Sequence, residues 1–108
     1  MDLSFYQLKA VTTAIYPENV RVVYPSLGLA GEAGEVLNKI KKVYRDKNGE
    51  FDAETKKEIR KELGDVLWYL AVLSQDLGQD LSEIAAGNLK KLQDRKERNV
   101  LGGNGDDR

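Results

Sequence analysis

Glu32 and Glu35 stand three residues apart with Gly34 between them, and Glu62 and Asp65 repeat the figure around Gly64. A valine follows each pair, Val36 in one and Val66 in the other. Acids three apart on a helix are neighbours whose like charges repel. Partial burial beside valine and leucine raises that cost. Glu35 has Lys39 four residues on, but Glu32, Glu62 and Asp65 have no base at that spacing. Two such pairs facing one another place four carboxylates in one small space, and a divalent cation is the natural remedy. Oxygen-only donors suit Mg²⁺ or Mn²⁺. One pair alone reads as a solvated helix face; two pairs with shared glycine context favour the cation site. Gly31, Gly34 and Gly64 remove bulk beside the acids. Helices can then approach closely, or a ligand can reach the backbone, against a helix cost of ~1 kcal/mol per glycine.

A second constellation lies downstream. Asn88, Lys91, Arg95 and Arg98 follow at helical spacings and form a polar, basic stripe. Alone it is a solvated face. Beside acids holding a metal it fits phosphate oxygens, with lysine as a point charge and arginine as a fork.

Four helices position these groups. The first is expected over residues 4–15, opened by a capping-box spacing of Ser4 and Gln7 and ended by Tyr16-Pro17. Residues 17–26 read as extended chain or loop. The second helix follows Pro25-Ser26 and runs to about Arg45, where DKNG signals a turn. The third starts at Asp52 as N-cap and reaches about Leu77, with Gly78 closing it. Asp80 and Glu83 open the fourth, which runs to about Arg98. At 100° per residue, Leu29, Val36, Leu37, Ile40, Val43 and Tyr44 fall within about 120° of one another, on one side of Glu32. Ile59, Leu63, Val66, Leu67, Leu70, Leu73 and Leu77 do the same relative to Glu62. Each acid pair therefore flanks the seam where two helices pack. Trp68 and Val72 lie on another flank, as core against the first or fourth helix or as a subunit interface.

Composition bounds the rest. The 108 residues carry 32% charged and 41% apolar side chains and a net charge of −1, a globular mix with no bulk attraction to nucleic acid. No cysteine is present, so no disulfide framework or thiolate metal site forms, and a reducing cytoplasm is the expected compartment. The start, MDLSFYQLKA, has no long apolar run, so no signal peptide is expected. No stretch has the ~18 apolar residues of a membrane span. Histidine is absent as well. That removes the usual base at neutral pH, the Ser-His-Asp triad and the ligands of di-iron bundles.

The sequence resembles the MazG-type nucleotide pyrophosphohydrolases, all-α enzymes whose signature is E-x-x-E, a variable spacer and E-x-x-D. Here the signature is Glu32-x-x-Glu35 and Glu62-x-x-Asp65. YPSLGLAGEAGEV (24–36), KELGDVLWYLA (61–71), NLKKLQDRKERNVLGGNGDDR (88–108) and the early Tyr6-Gln7 extend the likeness over nearly the whole chain. Asn99 departs from it, standing where glycine commonly follows the arginine.

The resemblance implies a single domain over residues 1–108, of the four-helix-bundle type of all-α NTP pyrophosphatase, assembled as a homodimer or homotetramer. It implies hydrolysis of nucleoside triphosphates, in particular dNTPs, between the α and β phosphates. Glu32, Glu35, Glu62 and Asp65 would hold Mg²⁺, with Mn²⁺ also accepted. Glu35 is the expected base. Lys91 and Arg95 would meet the triphosphate, with Asn88, Arg98 and Gln7 as further substrate contacts. Glu58 and Lys39 would support the acids from outside. Tyr6, or Trp68 by stacking, are candidates at the base. The implied tail, 99–108, folds back near a site. No membrane and no stable nucleic-acid partner is expected. The competing readings are a non-catalytic helical interaction module and a related hydrolase such as phosphoribosyl-ATP pyrophosphohydrolase.

Overall fold

The computed structural model describes residues 1–108 and is all-helical. Helix α1 spans Leu3–Val11, a 3₁₀ turn covers Glu18–Val20, and α2, α3 and α4 span Val23–Asp46, Ala53–Asp76 and Leu81–Glu97. The four expected helices are present, and their ends carry the differences.

Asp2, not Ser4, caps α1: its carboxylate accepts from the Phe5 N–H at 2.8 Å. Ser4 instead donates to Asp80 (3.1 Å), and Gln7 is buried. Helix α1 also stops four residues short of Ile15. The Thr12 and Thr13 hydroxyls donate to the Lys9 and Ala10 carbonyls at 2.6 and 2.8 Å, giving those groups partners outside a continuing helix. Helix α2 starts earlier than expected, with Pro25 inside its first turn. The first turn's N–H groups have no helical partners, so proline loses nothing there.

Asp52 caps α3 through the Thr55 N–H (2.8 Å), and Asp80 caps α4 through the Ser82 N–H (2.8 Å). No hydrogen bond from Glu83 returns to complete the expected box. Helices α3 and α4 both end in Schellman caps. Gln79 N–H reaches Ser74 O (2.8 Å) across Gly78, and Val100 N–H reaches Arg95 O (2.8 Å) across Asn99. Both bridging residues have positive φ, 67° for Gly78 and 59° for Asn99. Asparagine tolerates the left-handed region better than most non-glycine residues, so the departure at Asn99 leaves the turn intact.

Helices α2 and α3 form the main hairpin, and α1 lies along α3. Ala10, Ala71, Val72 and Leu81 make the small core, bordered by Trp68 and Tyr69. The Trp68 Nε1–H donates to Thr13 Oγ1 at 2.8 Å. Val72 is therefore core against α1 and the start of α4, and Trp68 packs half-buried at its edge. Gln7 fastens the same junction, donating to Gln79 O (2.9 Å) and accepting from Leu81 N–H (2.8 Å).

Part of the apolar arc expected to form the core is uncovered, together with Leu27 beside it. Leu27, Leu37 and Leu63 are 70, 67 and 53% exposed, and Tyr44, Leu70 and Leu77 are exposed too. The chain has 7878 Å² of accessible surface, where a compact monomer of its mass has about 6,000 Å². Its radius of gyration is 16.8 Å, against about 13 Å for a compact domain of this length. One chain thus builds a helical hairpin with flanking helices rather than a closed bundle.

Glycine is required at Gly28. A methyl group there would overlap the Tyr69 ring, which stands edge-on to Trp68 with centroids 4.9 Å apart. Gly28→Ala should destabilise the protein by about 1–3 kcal/mol in urea unfolding, despite alanine's better helix propensity. A midpoint at or above wild type would show that Tyr69 swings aside freely.

Candidate metal centre

Glu32 lies near the middle of α2, and Glu62 and Asp65 near the middle of α3. The hairpin brings one carboxylate oxygen of each within 4.8 Å of the others. Glu32 and Glu62 are half-buried and Asp65 is exposed. The Glu32 carboxyl is pushed above the usual carboxylate range. Burial is the main cause, followed by a hydrogen bond shared with Glu62 and the charges of Asp65, Glu62 and Glu35. An acid under this pressure is relieved by a proton or by a cation. The donor set is all oxygen, which fits a hard divalent ion.

Three of the four signature acids therefore converge. Glu35 does not join them; it sits one turn beyond Glu32, exposed. Its charge still reaches Glu32. Lys39 is the nearest base, with Nζ 3.8 Å from Glu62 Oε1. Glu58 is exposed and lines a 240 Å³ groove with Lys39, Lys42 and Lys47, adjoining the acids through Lys39. Beyond the helix's own neighbouring backbone and the adjacent residues, no atom of this chain lies within 4 Å of where a Cβ would stand at Gly31, Gly34 or Gly64. Close helix approach inside one chain is therefore not their purpose, and open space for a ligand or a second chain remains.

Two phenols flank the acids and were not singled out for the metal centre by sequence reasoning. Burial, then the Asp65 charge, pushes the Tyr6 hydroxyl up. Burial, then Tyr24 and Glu32, does the same for Tyr69. Both stay neutral at ordinary pH and can donate hydrogen bonds. Tyr69 follows Asp65 by four residues, a same-face spacing that could have revealed it.

The basic stripe divides. Lys91 and Arg95 meet at Asp106, while Arg98 pairs locally with Asp94 (2.8 Å) and Asn88 is exposed without a side-chain partner. No ion pair within the chain joins the stripe to the acids. Side-chain hydrogen bonds and core packing tie α4 to the other helices at its start, at Asp80 and Leu81. Gln7 uses its amide on the α3–α4 turn and on Leu81.

The fold and its acids define an all-α protein with a carboxylate centre suited to a divalent ion. Residues 26–100 match the MazG nucleotide pyrophosphohydrolase domain, and the chain belongs to that family. It is similar to the Gene 37 protein of Mycobacterium phage L5, 45% identical over 114 residues that cover 100% of both chains. No solved structure matches it. No helix is long and apolar enough to cross a membrane.

Proposed function

We propose that the protein hydrolyses nucleoside triphosphates, dNTPs foremost, between the α and β phosphates, releasing a nucleoside monophosphate and pyrophosphate in a Mg²⁺-dependent reaction, with Mn²⁺ also accepted. All of residues 1–108 would act as one cytoplasmic domain. The observation that carries this reading is the convergence of Glu32, Glu62 and Asp65 within 4.8 Å in a chain of this family.

These three acids would hold the cation. When bound, such an ion acidifies a water and neutralises phosphate charge. The remaining work falls to side chains. Glu35 stands outside the three-acid group and is free to take the proton of the attacking water. Lys91 and Arg95 bind phosphate oxygens of the substrate. Reactions of this class depend mostly on positioning and electrostatics, and Lys39 helps to hold Glu62 in place.

Glu35→Gln should lower kcat by roughly 10²–10⁴-fold while Mg²⁺ still raises the melting temperature. Near-normal turnover in that variant would remove Glu35 from the role of base.

Assembly follows from the uncovered apolar face. An excess of about 1,900 Å² per chain is on the scale of an obligate interface. A homodimer, or a pair of dimers, would cover Leu27, Leu37, Leu63 and Leu70 and bring a neighbour's basic stripe toward the acids. A monomeric native mass at micromolar concentration would contradict this. The activity itself is tested with a panel of (d)NTPs and Mg²⁺, scored for pyrophosphate.

A further inference from the structure

The residues after α4 form a closed loop. Arg108 turns back, and its guanidinium donates to the carbonyls of Val100 (3.2 Å), Leu101 (2.9 Å), Gly102 (3.0 Å) and Gly105 (2.6 Å). The chain reverses through Gly103 and Gly105, at φ 95° and 90°. The loop delivers Asp106 to the face of α4. Its Oδ1 lies 2.8 Å from Lys91 Nζ and 3.2 Å from an Arg95 terminal nitrogen. Arg95 also donates to the Asp106 carbonyl.

The burial of these partners differs sharply. The Arg95 side chain is only 6% exposed, while that of Asp106 is 76% exposed. A guanidinium fork and an ammonium four residues apart make a seat for an oxyanion. The carboxylate in it carries one negative charge against two positive ones. Lys91, then Arg95, holds the Asp106 carboxyl below the usual range, so it is anionic at neutral pH. None of the four Arg108 bonds uses the Asp106 side chain. The loop therefore stays closed when the carboxylate is neutralised.

We propose that the Asp106 carboxylate is the resident occupant of the anion seat made by Lys91 and Arg95, a latch that an incoming phosphate of the substrate must displace. Naming the substrate's phosphate rests on the proposed function; the seat and its latch do not.

Tripolyphosphate without metal is the probe, titrated calorimetrically into the full-length protein at low salt. Asp106→Asn should bind it about three- to tenfold more tightly than wild type. Adding Lys91→Gln to that variant should cancel the gain. Equal or weaker binding by Asp106→Asn overturns the proposal, as does a gain that survives Lys91→Gln. Hydrolysis of dNTPs by the wild type is scored separately. Tighter binding without hydrolysis keeps the latch and removes the proposed function; hydrolysis with unchanged tripolyphosphate affinity does the reverse.

Discussion

Replacing Glu32 with glutamine should lower turnover roughly 100-fold or more, and yet make the metal-free protein melt a few degrees higher. The two effects have one cause. In the fold, Glu32 ionises against burial, a hydrogen bond with Glu62 and the charges of Asp65, Glu62 and Glu35. Its carboxyl is held above its ordinary value, so its ionisation opposes folding at neutral pH. That penalty is relieved as pH falls through the raised value. An amide keeps the shape and removes the charge. The same change removes a donor from the three-acid group, so Mg²⁺ should no longer stabilise the protein. A ligand at 100 times its Kd contributes about 2.7 kcal/mol, large enough to follow by thermal melting. A variant that loses stability and activity together would indicate a merely structural Glu32.

Asp76→Ala should cost about 2–3 kcal/mol and lower the melting temperature by on the order of 10 °C. Asp76, at the end of α3, accepts from Tyr16 Oη (2.7 Å), the Val22 N–H (2.9 Å) and, at longer range, Arg21 Nε (3.4 Å). Val22 has φ 67° and ψ −51°, and the Val23 N–H closes on Arg21 O at 2.7 Å. This is a classic γ-turn at a β-branched residue, a rare and strained conformation. The carboxylate holds that strain in place and thereby sets where α2 begins, nine residues before Glu32.

The pH dependence is specific. Burial pushes the Asp76 carboxyl up, but the bonds from Val22, Tyr16 and Arg21 outweigh it and hold the value below the ordinary one. The stability it contributes is present above about pH 4 and lost as pH falls through the lowered value. Wild type and variant should therefore converge in acid. Tyr16 is pushed up to about 12, by burial first and then by Asp76. Its contribution is present below its ordinary value near 10 and lost as pH rises through about 12. Unfolding midpoints across pH would check both limbs; a gap between wild type and variant that does not narrow as the solution is acidified would contradict the assignment to Asp76.

The hairpin was legible because its signals are local. Asp52, Gly78 and Asp80 act within a turn of their own positions, and the apolar spacing marks two long helices. The start of α2 was not legible, because a carboxylate 54 positions away stabilises the Val22 turn. Gln7 and Ser4 suit a helix cap by type, but contacts to the α3–α4 turn claim them. Helical periodicity placed the acid pairs on the shoulders of an apolar seam. It fixes angle about one helix axis, not the rotation of two helices against each other, so it did not separate Glu35 from the other three. Periodicity likewise shows that a face is apolar, not what covers it. Leu37 and Leu63 were read as core and stand exposed, whereas Val72 is buried with Trp68 half-buried beside it.

The most direct test is hydrolysis of a dNTP in ¹⁸O-labelled water with and without Mg²⁺. Mg²⁺-dependent release of pyrophosphate is expected, with the label in the nucleoside monophosphate and this turnover at least about 100-fold lower in Glu32→Gln. Label in the pyrophosphate, products of diphosphate and inorganic phosphate, or turnover indifferent to Mg²⁺ would contradict it.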